Sequence, residues 1–299
     1  MLAIVIPYFK ITFFKETLDS LANQTDKRFN VYIGDDASLE DPTELLEKYK
    51  GQFNFEYHRF ESNLGSISLV KQWERCIELF KDEEWIMILG DDDKLGENVV
   101  ELFYKNFNIF NKKSYLIRFA TKVIFQKSNT ISNIFKHPIW EKESTFFSRL
   151  IKSQTRSSLS EYIFYKLVYK KYGFKDYYLG WGSDCNACLD FSDGKKIFTI
   201  NDAIVYFRIS DKNISGNKKD LLLKNNASIQ LFKDIIINKL HLFNKIEKLE
   251  ILMIYEVTIK KYRKLSLKEW FFLFKKYILI LNFISIIKFI RRFFISVIS

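Results

Sequence analysis

Trp85–Asp93 reads W-I-M-I-L-G-D-D-D. Five apolar residues, Trp85 to Leu89, stop at Gly90 and give way to three carboxylates, the pattern of a buried strand ending at a site. In an open α/β sheet helices cover both faces, and ligands enter outside the carboxyl ends of the strands. Asp91, Asp92 and Asp93 are expected on that rim. Three adjacent carboxylates repel one another, and a divalent cation relieves them: Mg²⁺ and Mn²⁺ take oxygen ligands and commonly join one or two carboxylates to substrate phosphates. The triplet alone also fits a turn whose aspartates cap a helix starting near Gly96. A strand before it and a helix after it favour the site.

Upstream, Leu2–Ile6 predicts a first strand and Thr12–Asn23 a helix with Phe14, Leu18 and Leu21 at helical spacing. Asn30–Ile33 predicts a second strand running into Gly34-Asp35-Asp36-Ala37-Ser38, a stretch that also fits an Asx-type turn. Thr43–Lys50, Phe53–Phe60 and Ser66–Phe80 follow as helix, strand and helix. Strands alternating with helices over the first 110 residues argue for a mainly parallel sheet with right-handed crossovers. Two acidic loops would then open on one rim.

Downstream, a helix over Glu97–Phe110 and a strand over Tyr115–Phe125 are expected. Residues 126 to 158 read as polar and irregular, with one helix around Ser144–Lys152. Leu179–Leu189 reads L-G-W-G-S-D-C-N-A-C-L: glycines flank Trp181, and Asp184 precedes a short helix that it could cap. Two short strands, Lys196–Ile200 and Ala203–Phe207, lead to Arg208-Ile209-Ser210. Beyond about Lys218 the pattern turns to helices rich in Lys, Ile, Leu and Phe, so the domains are expected to be residues 1–216 and 217–299.

The chain's 47% hydrophobic and 17% aromatic content can fill a sizeable core. Its three cysteines, Cys76, Cys185 and Cys188, are too few for a disulfide framework and suit a reducing cytosol. Cys185 and Cys188 form a C-x-x-C with no second pair or nearby His, which favours buried small residues over metal or redox chemistry. His58, His137 and His241 are scattered and predict no metal cluster. The N-terminal M-L-A-I-V-I-P-Y has neither basic leader nor cleavage site and reads as a strand rather than a signal peptide. Net charge is +11, and its distribution is uneven: Lys and Arg against Asp and Glu number 30 to 30 up to residue 216 and 17 to 6 beyond it.

P-Y-F-K after the first strand, N-Q-T at Asn23–Thr25, the I-G-D-D-A-S loop, N-L-G before a helix containing W-E-R-C, L-G-D-D-D, and G-S-D some ninety residues later together resemble the family 2 glycosyltransferases. The resemblance covers about residues 1 to 212. It implies a GT-A, Rossmann-like α/β fold, a mixed, mainly parallel sheet flanked by helices, here with a C-terminal helical extension. It also implies sugar transfer from a nucleotide-diphosphate sugar, a UDP-sugar first among them, with Mn²⁺ or Mg²⁺ on the diphosphate. Carried residue by residue, Pro7 and Tyr8 match the loop against the nucleoside, and Asp36 matches the aspartate that contacts the base. Asp91 and Asp92 match the metal and ribose motif, with Asp92 and Asp93 as metal ligands. Asp184 matches the catalytic base, and Arg208 a basic residue on a loop that can close over the site.

Three positions depart from the family pattern. Gly90 stands where many relatives have aspartate, Trp73-Glu74 where many have R-N, and Ser210 where some have histidine. The second leaves open whether Lys71 or Arg75 meets a phosphate. The implied chemistry needs a stabilised leaving group and a base. Asp184 would be that base, with Trp181 as an apolar face for sugar and inversion at the anomeric carbon as the outcome.

In residues 264 to 299 the longest uncharged stretch is Tyr277–Ile287, shorter than the roughly 20 residues a bilayer span needs. Basic residues recur among aromatics, as in helices lying on an anionic membrane; a helical packing or dimerisation element is the other reading. The expectation is a bacterial cytoplasmic enzyme, peripheral on the inner membrane, adding sugar to a surface-polysaccharide glycan or a lipid-linked acceptor. The alternative is a non-catalytic basic protein that binds membrane or nucleic acid through its tail. It leaves the acidic rim unexplained, and the tail's aliphatic density suits lipid, so no nucleic-acid partner is expected.

Overall fold

The computed structural model describes residues 1–298. Its strands are β1 (Leu2–Tyr8), β2 (Phe29–Asp35), β3 (Asn54–Arg59), β4 (Trp85–Ile88), β5 (Lys94–Leu95), β6 (Leu116–Phe125), β7 (Thr130–Ile131), β8 (Trp140–Glu141), β9 (Tyr162–Tyr165) and β10 (Ile197–Ile209). They form one ten-stranded mixed sheet of order β3-β2-β1-β4-β9-β6-β10-β5, with β7 beside β6 and β8 beside β10. β3, β2, β1 and β4 run parallel. β9 is antiparallel to both β4 and β6, and β10 runs parallel to β6.

The first unit, Met1–Lys219, carries α1 (Phe14–Ala22), α2 (Thr43–Glu47), α3 (Leu69–Ile77), α4 (Val99–Lys105), α5 (Phe107–Phe110), α6 (Glu143–Ile151), α7 (Lys166–Tyr172) and α8 (Ser183–Phe191). The period-two alternation of β1 sorts its side chains between two cores. Leu2, Ile4 and Ile6 pack with Phe14, Leu18 and Leu21 of α1 on one face; Ala3 and Val5 pack with Val70, Trp73, Cys76 and Ile77 of α3 on the other. With both faces covered, the carboxyl ends of β1, β2 and β4 are left open.

Several elements differ from expectation. Residues 126–158 hold the β6–β7 hairpin and β8 besides α6. The two strands expected before Arg208 are one strand, β10, whose register shifts between Ile200 and Ile204. β9 and α7 fall in a stretch of aromatic residues and lysines without period, where backbone pairing to β4 and β6 decides the strand.

The second unit begins at Asp220 and carries α9 (Leu221–Asp234), α10 (Lys245–Lys260), α11 (Leu267–Ile280) and α12 (Phe283–Ile298). Capping boxes at Asn244/Glu247 and Ser266/Glu269 start α10 and α11. Trp270 and Tyr277 of α11 pack on Phe289 of α12, with ring centroids 5.3 and 4.7 Å apart. Among the described residues no helix is long and apolar enough to cross a membrane.

Candidate functional site

β4 ends at Ile88, the amide of Leu89 still bonding to Val5 O at 2.9 Å, and the aspartates follow at the open rim. Asp91 Oδ2 accepts the amides of Phe9 and Lys10, both at 2.8 Å, and so fastens the loop after β1. Thr17 Oγ1 of α1 donates to the carbonyls of Asp91 and Asp93 at 3.1 and 2.8 Å, fixing the turn from beneath. Asp92 Oδ2 accepts the side-chain amide of Asn213 at 2.8 Å. Asp93, expected as a metal ligand, has both carboxylate oxygens engaged by the protein: Oδ2 accepts Ser160 Oγ at 2.5 Å and Oδ1 accepts the amide of Arg208 at 2.8 Å.

Arg208, expected on a closing loop, lies on β10, because pairing with β6 continues to Ile209. Its guanidinium is 2% exposed and donates to the Asp92 carbonyl at 2.9 Å, Gln126 Oε1 at 2.6 Å and Glu16 Oε2 at 2.8 Å. It braces the aspartate turn from behind. The loop itself is residues 210–216, organised by Asn213, whose amide also donates to the Arg208 carbonyl at 2.6 Å and whose Oδ1 accepts the amide of Gly216 at 3.0 Å. A Cβ on Gly216 would stand 1.9 Å from the Ser210 carbonyl oxygen, so the loop closes only with glycine there.

These three loops enclose a cavity of about 280 Å³ whose wall includes Pro7, Lys10, Phe13, Trp73, Asp91, Asp92, Asp93, Ser160, Lys212 and Asn213. Tyr8, Asp36, Asp184 and Arg208 are not part of that wall. Tyr8 is fully buried, its hydroxyl donating to the Glu40 carbonyl at 2.5 Å. Asp36 accepts the amides of Leu64 and Gly65 at 2.7 and 2.9 Å and pairs with Arg75. Arg75, a candidate phosphate contact, is thereby held at Asp36 with its guanidinium 3.9 Å over the Phe60 ring. Lys10 Nζ donates to the Lys212 carbonyl, joining the first and third loops.

Burial raises the carboxyls of Asp91, Asp92 and Asp93 above their ordinary range; the charge of Asp92 adds to the rise at its two neighbours, and the Asn213 bond opposes it at Asp92. Three adjacent carboxylates on one cavity wall, where desolvation and mutual repulsion disfavour their ionised forms, gain from a hard cation that would hold them ionised. No other residue bonds to the Oδ1 atoms of Asp91 and Asp92 among the described residues. Nor do those residues include a group of three or more His, Cys, Asp or Glu arranged to hold a metal. An oxygen or two of protein with the rest from phosphate is the Mg²⁺ pattern. Gly90 is accounted for as well: a Cβ there would stand 3.1 Å from Asp92 Oδ1 and from Asp93 Oδ2, so an aspartate would crowd both.

Asp184 lies in the first turn of α8, two residues after Gly182, which starts the helix at φ +85° with no side-chain cap. Leu179 and Gly180 also have positive φ, and a Cβ on Gly180 would stand 2.9 Å from the Trp73 ring; the glycines thus bring this turn against the cavity wall. Burial raises the Asp184 carboxyl, opposed by the amide and thiol of Cys185 and the charge of Arg156. Arg156 stacks 4.5 Å over Phe207 and bonds Thr121 Oγ1 and Glu161 Oε2, both at 2.9 Å. Arg156 also opposes the rise at Asp93 and Glu161, so one guanidinium serves the aspartate turn and Asp184 together. His137 is pushed down to about 2 by burial and by Arg118, Arg149 and Arg156, and is neutral. All three cysteines are unbridged.

The pattern of Glycosyl transferase family 2 matches residues 3–178, more than half of the chain. The chain belongs to glycosyltransferase family 2. It is a glycosyltransferase of GT-A fold acting on a nucleotide-sugar. Solved structures of S. aureus TarS share that fold: TarS 1-349 in complex with UDP-GlcNAc superposes with a TM-score of 0.65 at 14% identity, covering 92% of this chain and 79% of that one. A second, longer structure of S. aureus TarS gives 0.63 at 15% identity over 95% of this chain and 50% of its own. No curated protein matches the sequence. Sequence reasoning missed Asn213, Ser160 and Thr17, short polar residues in stretches without a motif. The spacing Asn213 to Gly216 was the one available signal.

Proposed function

We propose that the chain transfers a sugar from a UDP-sugar to a hydroxyl of a glycan or lipid-linked acceptor, with inversion at the anomeric carbon. The observation that carries this reading is the double clamp of the aspartate turn, Asp91 on the loop after β1 and Asp92 on Asn213, around one cavity. The choice of uridine is supported by the UDP-GlcNAc and UDP complexes of TarS. Pro7 underlies the nucleoside, and Asp36, with Tyr8 behind it, holds the base-side loop in shape.

Family enzymes commonly use a divalent metal, and a Mn²⁺ or Mg²⁺ on Asp92, with Asp91 beside it, would supply Lewis-acid stabilisation of the leaving diphosphate. Asp93 and Arg208 set the turn that presents those oxygens. Lys10 and Lys212 bring positive charge to the same cavity. Asp184 accepts the acceptor's hydroxyl proton on the face opposite the diphosphate, and the desolvation that raises its carboxyl makes it a stronger base than an exposed aspartate. The helices from Asp220 onward hold the enzyme against the anionic cytoplasmic face of a bacterial inner membrane, supported by the 17 to 6 charge excess after residue 216 and by exposed Phe271, Phe283 and Phe294.

The test is proton NMR of the product formed from an α-linked UDP-sugar. A β linkage, lost in Asp184→Asn, supports the reading; an α linkage removes the role of base from Asp184.

A further inference from the structure

We propose that the groove between α11 and α12 binds one hydrocarbon chain of an anionic membrane lipid, and that this chain, rather than surface charge alone, fixes the second unit to the bilayer. The inference rests on the peripheral-membrane reading above and deepens it. The groove encloses about 450 Å³ and is walled by aromatic and aliphatic side chains alone, Trp270, Phe271, Phe274, Phe289, Phe293 and Phe294 among them. A half-open apolar groove of that composition offers water no hydrogen-bond partner and accepts methylene groups.

The surroundings decide the occupant. Lys275 Nζ stands 4.4 Å over the Phe271 ring, so a cation sits at the edge of the apolar channel, the arrangement a side chain adopts between hydrocarbon and headgroup. Lys268, Lys288 and Arg291 are exposed on the same two helices and take part in no ion pair among the described residues. The acidic groups nearby are already paired: Glu269 with Arg263, and Glu256 with Lys260 and Arg292. Leu267, Leu279, Phe283, Ile284 and Ile287 are each more than 65% exposed, so apolar surface extends well beyond the channel. Exposed apolar surface and unpaired cations on the same two helices complement an acidic lipid surface, whereas a second copy would bring like charges together.

The test uses the full chain with phosphatidylglycerol-containing vesicles and with vesicles of neutral lipid only. Trp270 lines the channel, and its fluorescence, taken as the difference between wild type and Trp270→Phe, reports on acyl chains brominated at mid-chain. Binding to the acidic vesicles with strong quenching of that component is expected. Phe271→Ser and Phe294→Ser, both at exposed positions, should each weaken binding more than tenfold, against about fivefold for removing one lysine. Acidic-vesicle binding without Trp270 quenching would overturn the groove and leave the peripheral reading standing. No vesicle binding would overturn both, and a dimer that Phe271→Ser dissociates, with no vesicle binding, would assign the groove to a second copy.

Discussion

Asn213 donates one amide to Asp92 at 2.8 Å and to the Arg208 carbonyl at 2.6 Å, so the loop after β10 is fastened to the aspartate that faces the cavity. A hydrogen bond to a charged group contributes about 1.5–3 kcal/mol. Asn213→Ala should therefore lower the Tm and, because the freed loop no longer presents Asp92, lower kcat/KM about tenfold or more per folded molecule in steady-state kinetics. A wild-type kcat/KM would remove the loop from the mechanism.

Gly216→Ala tests the same loop through its backbone. The new Cβ would meet the Ser210 carbonyl oxygen, 1.9 Å away in the present geometry. Overpacking of this kind costs about 1–3 kcal/mol, and a backbone oxygen has no rotamer by which to yield. A lower Tm together with weaker donor binding is the expected result.

Arg156 predicts a pH effect. The proposed base, Asp184, would act only when ionised, and burial already raises its carboxyl, opposed in part by Arg156. Removing the cation raises it further, so the acid limb of the kcat profile should move to higher pH in Arg156→Met and by less in Arg156→Lys. A limb that stays in place would disconnect Arg156 from the base.

Glu141 is buried with Arg118, Nη2 to Oε2 at 2.8 Å, while Arg118 Nη1 has no partner. Glu141→Gln would leave a guanidinium charge uncompensated in the core, at about 3–5 kcal/mol. Chemical denaturation should read that loss with catalysis per folded molecule unchanged.

Most strands and helices of the first 110 residues were legible because apolar runs and helical spacing there report burial directly; the two-residue β5, which exists only by pairing with β10, and the break between α4 and α5 were not. The aspartate triplet was legible for the same reason: a fully buried β4 can end in carboxylates only at an open rim. β9 was not, since Tyr162–Tyr165 owes its conformation to pairing with β4 and β6 rather than to a pattern of its own. Nor was the division of labour within the triplet. Whether Asp93 faces the cavity or Ser160 depends on a residue 67 positions away. Arg208 shows the converse: motif order singled it out as a loop residue, but its place as a buried brace follows only from Gln126, Glu16 and the Asp92 carbonyl around it.

The most direct measurement is calorimetric titration of the full chain with UDP, with and without Mn²⁺, in wild type and Asp92→Asn. The account predicts binding that needs the metal and weakens at least tenfold in the variant, with GDP and dTDP weaker than UDP. Metal-independent binding of equal strength in both proteins would contradict it.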